Sequence, residues 1–83
     1  MTTYRLTNRL SRMRGAIGRD LESGDRLIFE YNTIDNRTVH MVGVRSPMTV
    51  EFIIDGTTTN RVQLDPWTGW GSGPCNKIIE TKL

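Results

Sequence analysis

Residues 48–56 read MTVEFIIDG and carry the clearest structural pattern in the chain. Apolar side chains stand at every second position, at Met48, Val50, Phe52 and Ile54. An alternation with period 2 is typical of a β-strand that buries one face. Asp55 and Gly56 favour a two-residue hairpin turn, although the threonines that follow also allow a longer loop. A short returning strand over residues 61–64 completes the predicted β-hairpin.

Further strands are predicted on both sides of this hairpin. They cover residues 26–32, 37–44 and 76–83, with a turn over 33–36 and a glycine- and proline-rich loop over 65–74. Pro47 ends or bends the run that precedes the hairpin. Five short, closely spaced strands favour a small sheet that bends and closes on itself, because closure removes exposed strand edges.

The first 24 residues follow a different period. At 100° per residue, five apolar side chains fall within an arc of about 80°: Leu6, Leu10, Met13, Ile17 and Leu21. This spacing predicts an amphipathic helix that ends near Gly24. The expected fold is therefore α+β and mainly β, with an N-terminal amphipathic helix packed on a five-stranded antiparallel small barrel. One domain would span residues 1–83, with the basic helix over 1–24 and the barrel-like body over 26–83.

Positive charge is concentrated in the same N-terminal segment. Five arginines precede the first acidic residue, Asp20: Arg5, Arg9, Arg12, Arg14 and Arg19. The 64 residues that follow Arg19 hold six basic against nine acidic side chains. Such asymmetry favours contact with phosphate groups or with an acidic protein surface.

On the predicted helix, Arg5, Arg9, Arg12 and Arg19 would form one line beside the apolar stripe. Guanidinium groups in a line suit backbone phosphates and would give salt-dependent, sequence-neutral affinity for nucleic acid. A solvated helix face, or pairing with acids of a neighbouring subunit, is the alternative interpretation.

Trp67 and Trp70 lie in the predicted loop over residues 65–74. Exposed indoles stack on nucleic-acid bases or act as hot spots of protein interfaces. Alternatively, one or both fold back and plug an open end of the barrel, where a thin core needs apolar volume. The sequence leaves both interpretations open.

Catalysis and metal binding find little support in the composition. His40 is the one histidine and Cys75 the one cysteine, so neither a zinc knuckle nor a disulfide can be assembled within the chain. No cofactor fingerprint occurs, and we expect no enzyme, no metal and no cofactor. Arginines interrupt the N-terminal apolar positions, so secretion and membrane spanning are not expected and the location should be intracellular, or within a particle assembled in a cell.

Residues 16–65 resemble part of the WYL domains, beginning with the opening of that family. The resemblance is carried by Ala16 and Ile17, residues 25–31, residues 37–39, Pro47, and the later runs 48–55 and 61–65. The Trp-Tyr-Leu signature of that family is replaced here by TVEF at residues 49–52. The resemblance implies an Sm-like or SH3-like barrel with a regulatory role toward a ligand or nucleic acid.

Two functions of different kinds follow from these patterns. The first is a small regulatory protein that contacts the nucleic-acid backbone through its N-terminal arginines. The second is a structural or adaptor subunit of a homo-oligomer or of a larger assembly such as a virus particle, or an inhibitor of a host protein that uses the same face.

Overall fold

The computed structural model describes residues 3–6 and 22–83. This part of the chain forms five strands: β1 Thr3–Leu6, β2 Arg26–His40, β3 Met48–Ile54, β4 Thr57–Leu64 and β5 Trp70–Lys82. They build one sheet in the order β1-β2-β5-β3-β4. β1 runs parallel to β2, and all other neighbours are antiparallel. No helix occurs within residues 3–6 and 22–83.

The predicted fold class, a helix on an antiparallel barrel, is therefore wrong. Within the predicted helix, Thr3–Leu6 is a strand that places Tyr4 beside Leu27 of β2. Threonine and tyrosine favour strands, and the open edge of β2 offers backbone groups with which these residues can pair. The apolar side chains that predicted the helix begin at Leu6, so their spacing does not predict the structure of the residues before Leu6. Its later members, Leu10, Met13, Ile17 and Leu21, lie outside the described residues.

β2 also differs from its predicted form, because it runs straight through the expected turn at residues 33–36. Its pairing with β5 shifts between Glu30, which faces Lys77, and Asp35, which faces Cys75. The extra residues form a bulge, and Arg37 holds it together. The Arg37 guanidinium lies 3.6 Å from the centre of the Tyr31 ring, and its Nη2 donates to the Thr33 carbonyl oxygen at 3.0 Å. Residues 33–36, which indicated a turn in the sequence, therefore lie inside a strand.

The predicted hairpin is confirmed, but its returning strand, β4, begins at Thr57 and not at residue 61. Ile54 pairs with Thr57, and Asp55 and Gly56 have φ angles of 47° and 84°. Two consecutive positive φ angles are what a tight two-residue turn of the type I′ family requires, so the longer loop is not formed. One residue of the returning strand, Thr59, is bulged, and its hydroxyl donates to the Phe52 and Pro74 carbonyl oxygens at 3.1 and 2.7 Å.

The core lies where the sheet curls and brings the first half of β5 against β3 and β4. Its fully buried side chains are Leu27, Met41, Met48, Val50, Phe52 and Cys75. Gly73 makes the close approach possible, because a Cβ there would lie 3.1 Å from Cγ of Phe52. Side chains rather than a backbone ladder join β4 to this half of β5, as Asn60 Nδ2 donates to the Ser72 carbonyl oxygen at 3.0 Å. Curling thus encloses a core without a second sheet.

Candidate functional site

Both tryptophans are exposed to solvent, Trp67 by 55% and Trp70 by 70% of its surface. The interpretation that at least one of them plugs the core is wrong. The core beside the turn that carries them is instead formed by Met41, Val44 and Leu64, all of which are buried. The predicted loop is also shorter than expected, because β5 begins at Trp70 and not at residue 76.

The backbone that presents the indoles is held by hydrogen bonds on both sides. Trp67 N donates to the Val44 carbonyl oxygen at 3.1 Å, and Met41 N donates to the Gly69 carbonyl oxygen at 2.9 Å. Within the turn, Gly69 N donates to the Asp65 carbonyl oxygen at 3.1 Å. Trp67 has a φ of 65°, a conformation that is costly for a bulky residue and that is often found at functional positions.

Trp70 belongs to a continuous outer surface made by β2 and the first half of β5. Three cross-strand pairs form it: Asn36 with Pro74, Thr38 with Ser72, and His40 with Trp70. We call these six residues the ribbon face. All are exposed except Ser72, which is half-buried, whereas Gly71, Gly73 and Cys75 on the opposite face are buried. The ribbon face carries no carboxylate, and its polar side chains offer hydroxyl, amide and imidazole groups.

The turn that follows β2 extends this surface. Val42 is exposed by 59%, and Arg45 is exposed directly after Val44, whose carbonyl oxygen accepts the Trp67 hydrogen bond. Exposed aromatic and apolar side chains on a fixed backbone are typical of a binding surface. Trp67, Trp70 and the ribbon face are therefore the candidate site.

Of the four arginines in the predicted line, Arg5 is the one that lies within the described residues. Arg5 lies on β1, where its Nη1 is 2.9 Å from Oε1 of Glu30. This ion pair is exposed, so its contribution to stability is small. Arg9, Arg12 and Arg19 lie outside the described residues.

His40 and Cys75, the two residues with nucleophile or base chemistry, lie on opposite faces of the ribbon. Cys75 is fully buried, and burial raises the pKa of its thiol, while the nearby Arg37 guanidinium offsets part of that rise. A thiol with a raised pKa is a poor nucleophile. Among residues 3–6 and 22–83, no group of three His, Cys, Asp or Glu side chains could hold a metal ion.

Sequence reasoning missed two buried acidic residues, Asp25 and Glu80, which are exposed by only 3% and 7%. Oδ2 of Asp25 accepts a hydrogen bond from Glu22 N at 2.9 Å and so closes the turn before β2. Glu80 pairs with Leu27 on one side and Val50 on the other, both fully buried. Burial raises the pKa of the Glu80 carboxyl group to about 7. The alternation of Ile78 and Glu80 along the last strand could have revealed that Glu80 points inward.

No protein-family model and no curated protein matches the sequence. Two crystal structures share its fold. One, a protein of unknown function from Novosphingobium aromaticivorans, has a TM-score of 0.82 and 20% sequence identity, covering 96% of this chain and 61% of that one. The other, a proposed transcription regulator from Sinorhizobium meliloti, has a TM-score of 0.83 and 16% identity, covering 96% of this chain and 67% of that one.

The present chain thus spans roughly two thirds of the length of these two neighbours. At this level of identity the similarity shows the fold alone. Neither neighbour is identified as a WYL domain, so the resemblance to that family stays a prediction. In the part of the chain that the structure covers, no helix is long and apolar enough to cross a membrane.

Proposed function

We propose that this protein is a non-enzymatic regulatory module that binds nucleic acid. Arg9, Arg12 and Arg19 supply the electrostatic contact with phosphates, and Trp67 and Trp70 supply the contact with bases. Arg5 is left out of the phosphate contact because Glu30 already pairs with it.

The exposure of the two indoles on a fixed backbone is the observation that carries this proposal. A solvated indole is unfavourable unless a partner covers it, since each aromatic side chain buries a large apolar area on contact. Two such side chains suit a partner that offers aromatic bases for stacking. The arginine surplus of the N-terminal segment and the fold shared with a proposed transcription regulator support the same function.

The test of the phosphate contact is the salt dependence of affinity for a fluorescein-labelled oligonucleotide. We compare Arg9→Gln/Arg12→Gln with a charge-matched control, Arg26→Gln/Arg61→Gln, whose arginines are exposed on the sheet. Each lost contact with single-stranded phosphate reduces the magnitude of the slope of log K against log salt by about 0.7. The slope of Arg9→Gln/Arg12→Gln should therefore be smaller than that of the wild type by about 1.4. If the slope falls by the same amount in both double variants, the N-terminal arginines have no special role in phosphate binding.

A second candidate function is an adaptor subunit that binds another protein. It is favoured by the exposed apolar side chains of Trp67, Trp70 and Val42, because tryptophan is enriched among the hot spots of protein interfaces. Light scattering together with the absorbance ratio at 260 and 280 nm separates the two functions. A stable oligomer free of nucleic acid would favour the adaptor.

A further inference from the structure

The ribbon face offers an exposed strand surface that carries one indole. Among residues 3–6 and 22–83, Trp70 is the most exposed of the large apolar side chains, at 70%, and the cross-strand pair next to it on this face consists of small residues, Thr38 and Ser72. His40 lies directly opposite Trp70 across the strands, and most of the indole still faces solvent. Such an arrangement leaves room for a planar group to stack on the ring.

We propose that the partner is single-stranded nucleic acid, which lies along the ribbon face with bases stacked on Trp70 and Trp67. This inference rests on the proposed function and makes it specific. An indole can stack only on a base that is not already stacked between neighbours in a duplex. A strand-borne, exposed tryptophan therefore selects unpaired bases.

The chemistry of the face favours nucleic acid over an apolar protein surface. Apart from Trp70 and Pro74, the ribbon face consists of the polar side chains of Asn36, Thr38, His40 and Ser72, which can bond to phosphate oxygens or base edges. The core of a protein interface is instead apolar and continuous. Arg45 next to the site and the basic N-terminal segment supply positive charge, and no carboxylate of the ribbon face would repel phosphate.

The experiment measures the binding of the full chain to three labelled probes: a 12-nucleotide oligothymidylate, a 12-nucleotide oligouridylate and a 12-base-pair mixed-sequence duplex. We expect the single strands to bind at least tenfold more tightly than the duplex. Trp70→Ala should weaken single-strand binding about tenfold or more, whereas Trp70→Phe should keep most of the affinity because a phenyl ring also stacks. Ile34→Ala removes a 50% exposed apolar side chain from the bulge of β2 and should have no effect.

The outcomes separate this inference from the proposed function. Equal affinity for duplex and single strand would overturn the single-strand inference, and so would wild-type affinity in both Trp70→Ala and Trp67→Ala. In either case the proposal that the protein binds nucleic acid would still hold. Failure to bind any of the three probes would overturn both. A stable oligomer that Trp70→Ala dissociates would assign the indoles to a protein interface instead. Circular dichroism melting of each variant verifies that the fold is intact.

Discussion

Glu80 shows how a single inward-facing side chain can set the pH response of a small protein. The register places its carboxyl group on the core side of β5, between Leu27 and Val50, and burial alone raises its pKa from 4.5 to about 7. Between these two values the folded protein holds a proton that the unfolded chain releases. Folding stability must therefore fall as the pH rises from about 4.5 to 7, and it should level off above that range.

We predict that Glu80→Gln removes this pH dependence. Glutamine keeps the shape but cannot ionise, so above pH 7 the variant should exceed the wild type in unfolding free energy by as much as about 3 kcal/mol. Below pH 4.5 the two proteins should have similar stability. Urea denaturation at a series of pH values measures the difference, and Glu22→Gln, at an exposed glutamate, is the control. The burial of a neutral Glu80 would be contradicted if the unfolding free energy of the wild type rose between pH 5 and 7 and both variants showed the same rise.

The tryptophans show why residue identity does not settle residue role. Trp67 and Trp70 were recognised in the sequence as candidate binding residues, but their exposure depends on whether other side chains already fill the space below. The core beside them contains Met41 and Val44, from the turn after β2, and Leu64, from the end of β4. Pattern and composition carry no information on that competition.

At the scale of elements, the β3–β4 hairpin was predictable because its determinants are local. Alternating residues and an Asp-Gly turn specify it within residues 48–64. β1 and the first half of β5 were not predictable from the sequence, because each is stabilised by long-range pairing. β1 pairs with residues 23 positions further along the chain, as Thr3 does with Arg26.

The close contact between β5 and β3 gives a prediction of its own. Gly73→Ala would place a Cβ 3.1 Å from Phe52 Cγ and 3.3 Å from Asn60 Cβ, so the curled sheet would have to open. We expect a loss of about 1–3 kcal/mol of unfolding free energy, the usual cost of overpacking a core. Ser72→Ala, at the neighbouring position on the outer face, should change stability little. Urea titration compares the two, and an unaltered midpoint for Gly73→Ala would show that the sheet does not curl as described.

At the scale of the whole molecule, charge and exposed aromatic surface are separate in the sequence. Residues 3–6 and 22–83 carry seven basic and eight acidic side chains, whereas residues 7–21 carry four arginines and one aspartate. A partner that uses both must have negatively charged groups for one and flat apolar groups for the other. Nucleic acid has both in every nucleotide, which is why the proposed function requires only one partner.

The two tryptophans permit a direct measurement of this claim, because they give two indole N–H signals in a proton–nitrogen correlation spectrum of the labelled protein. We predict that titration with a 12-nucleotide oligothymidylate shifts both indole signals, together with the backbone signals of His40 and Thr38, along one saturating curve. At low salt the affinity should be higher, so the curve should saturate at a lower oligonucleotide concentration. If the oligonucleotide binds while both indole signals stay in place, or if no signal moves up to millimolar concentration, the indoles do not contact nucleic acid and the account is contradicted.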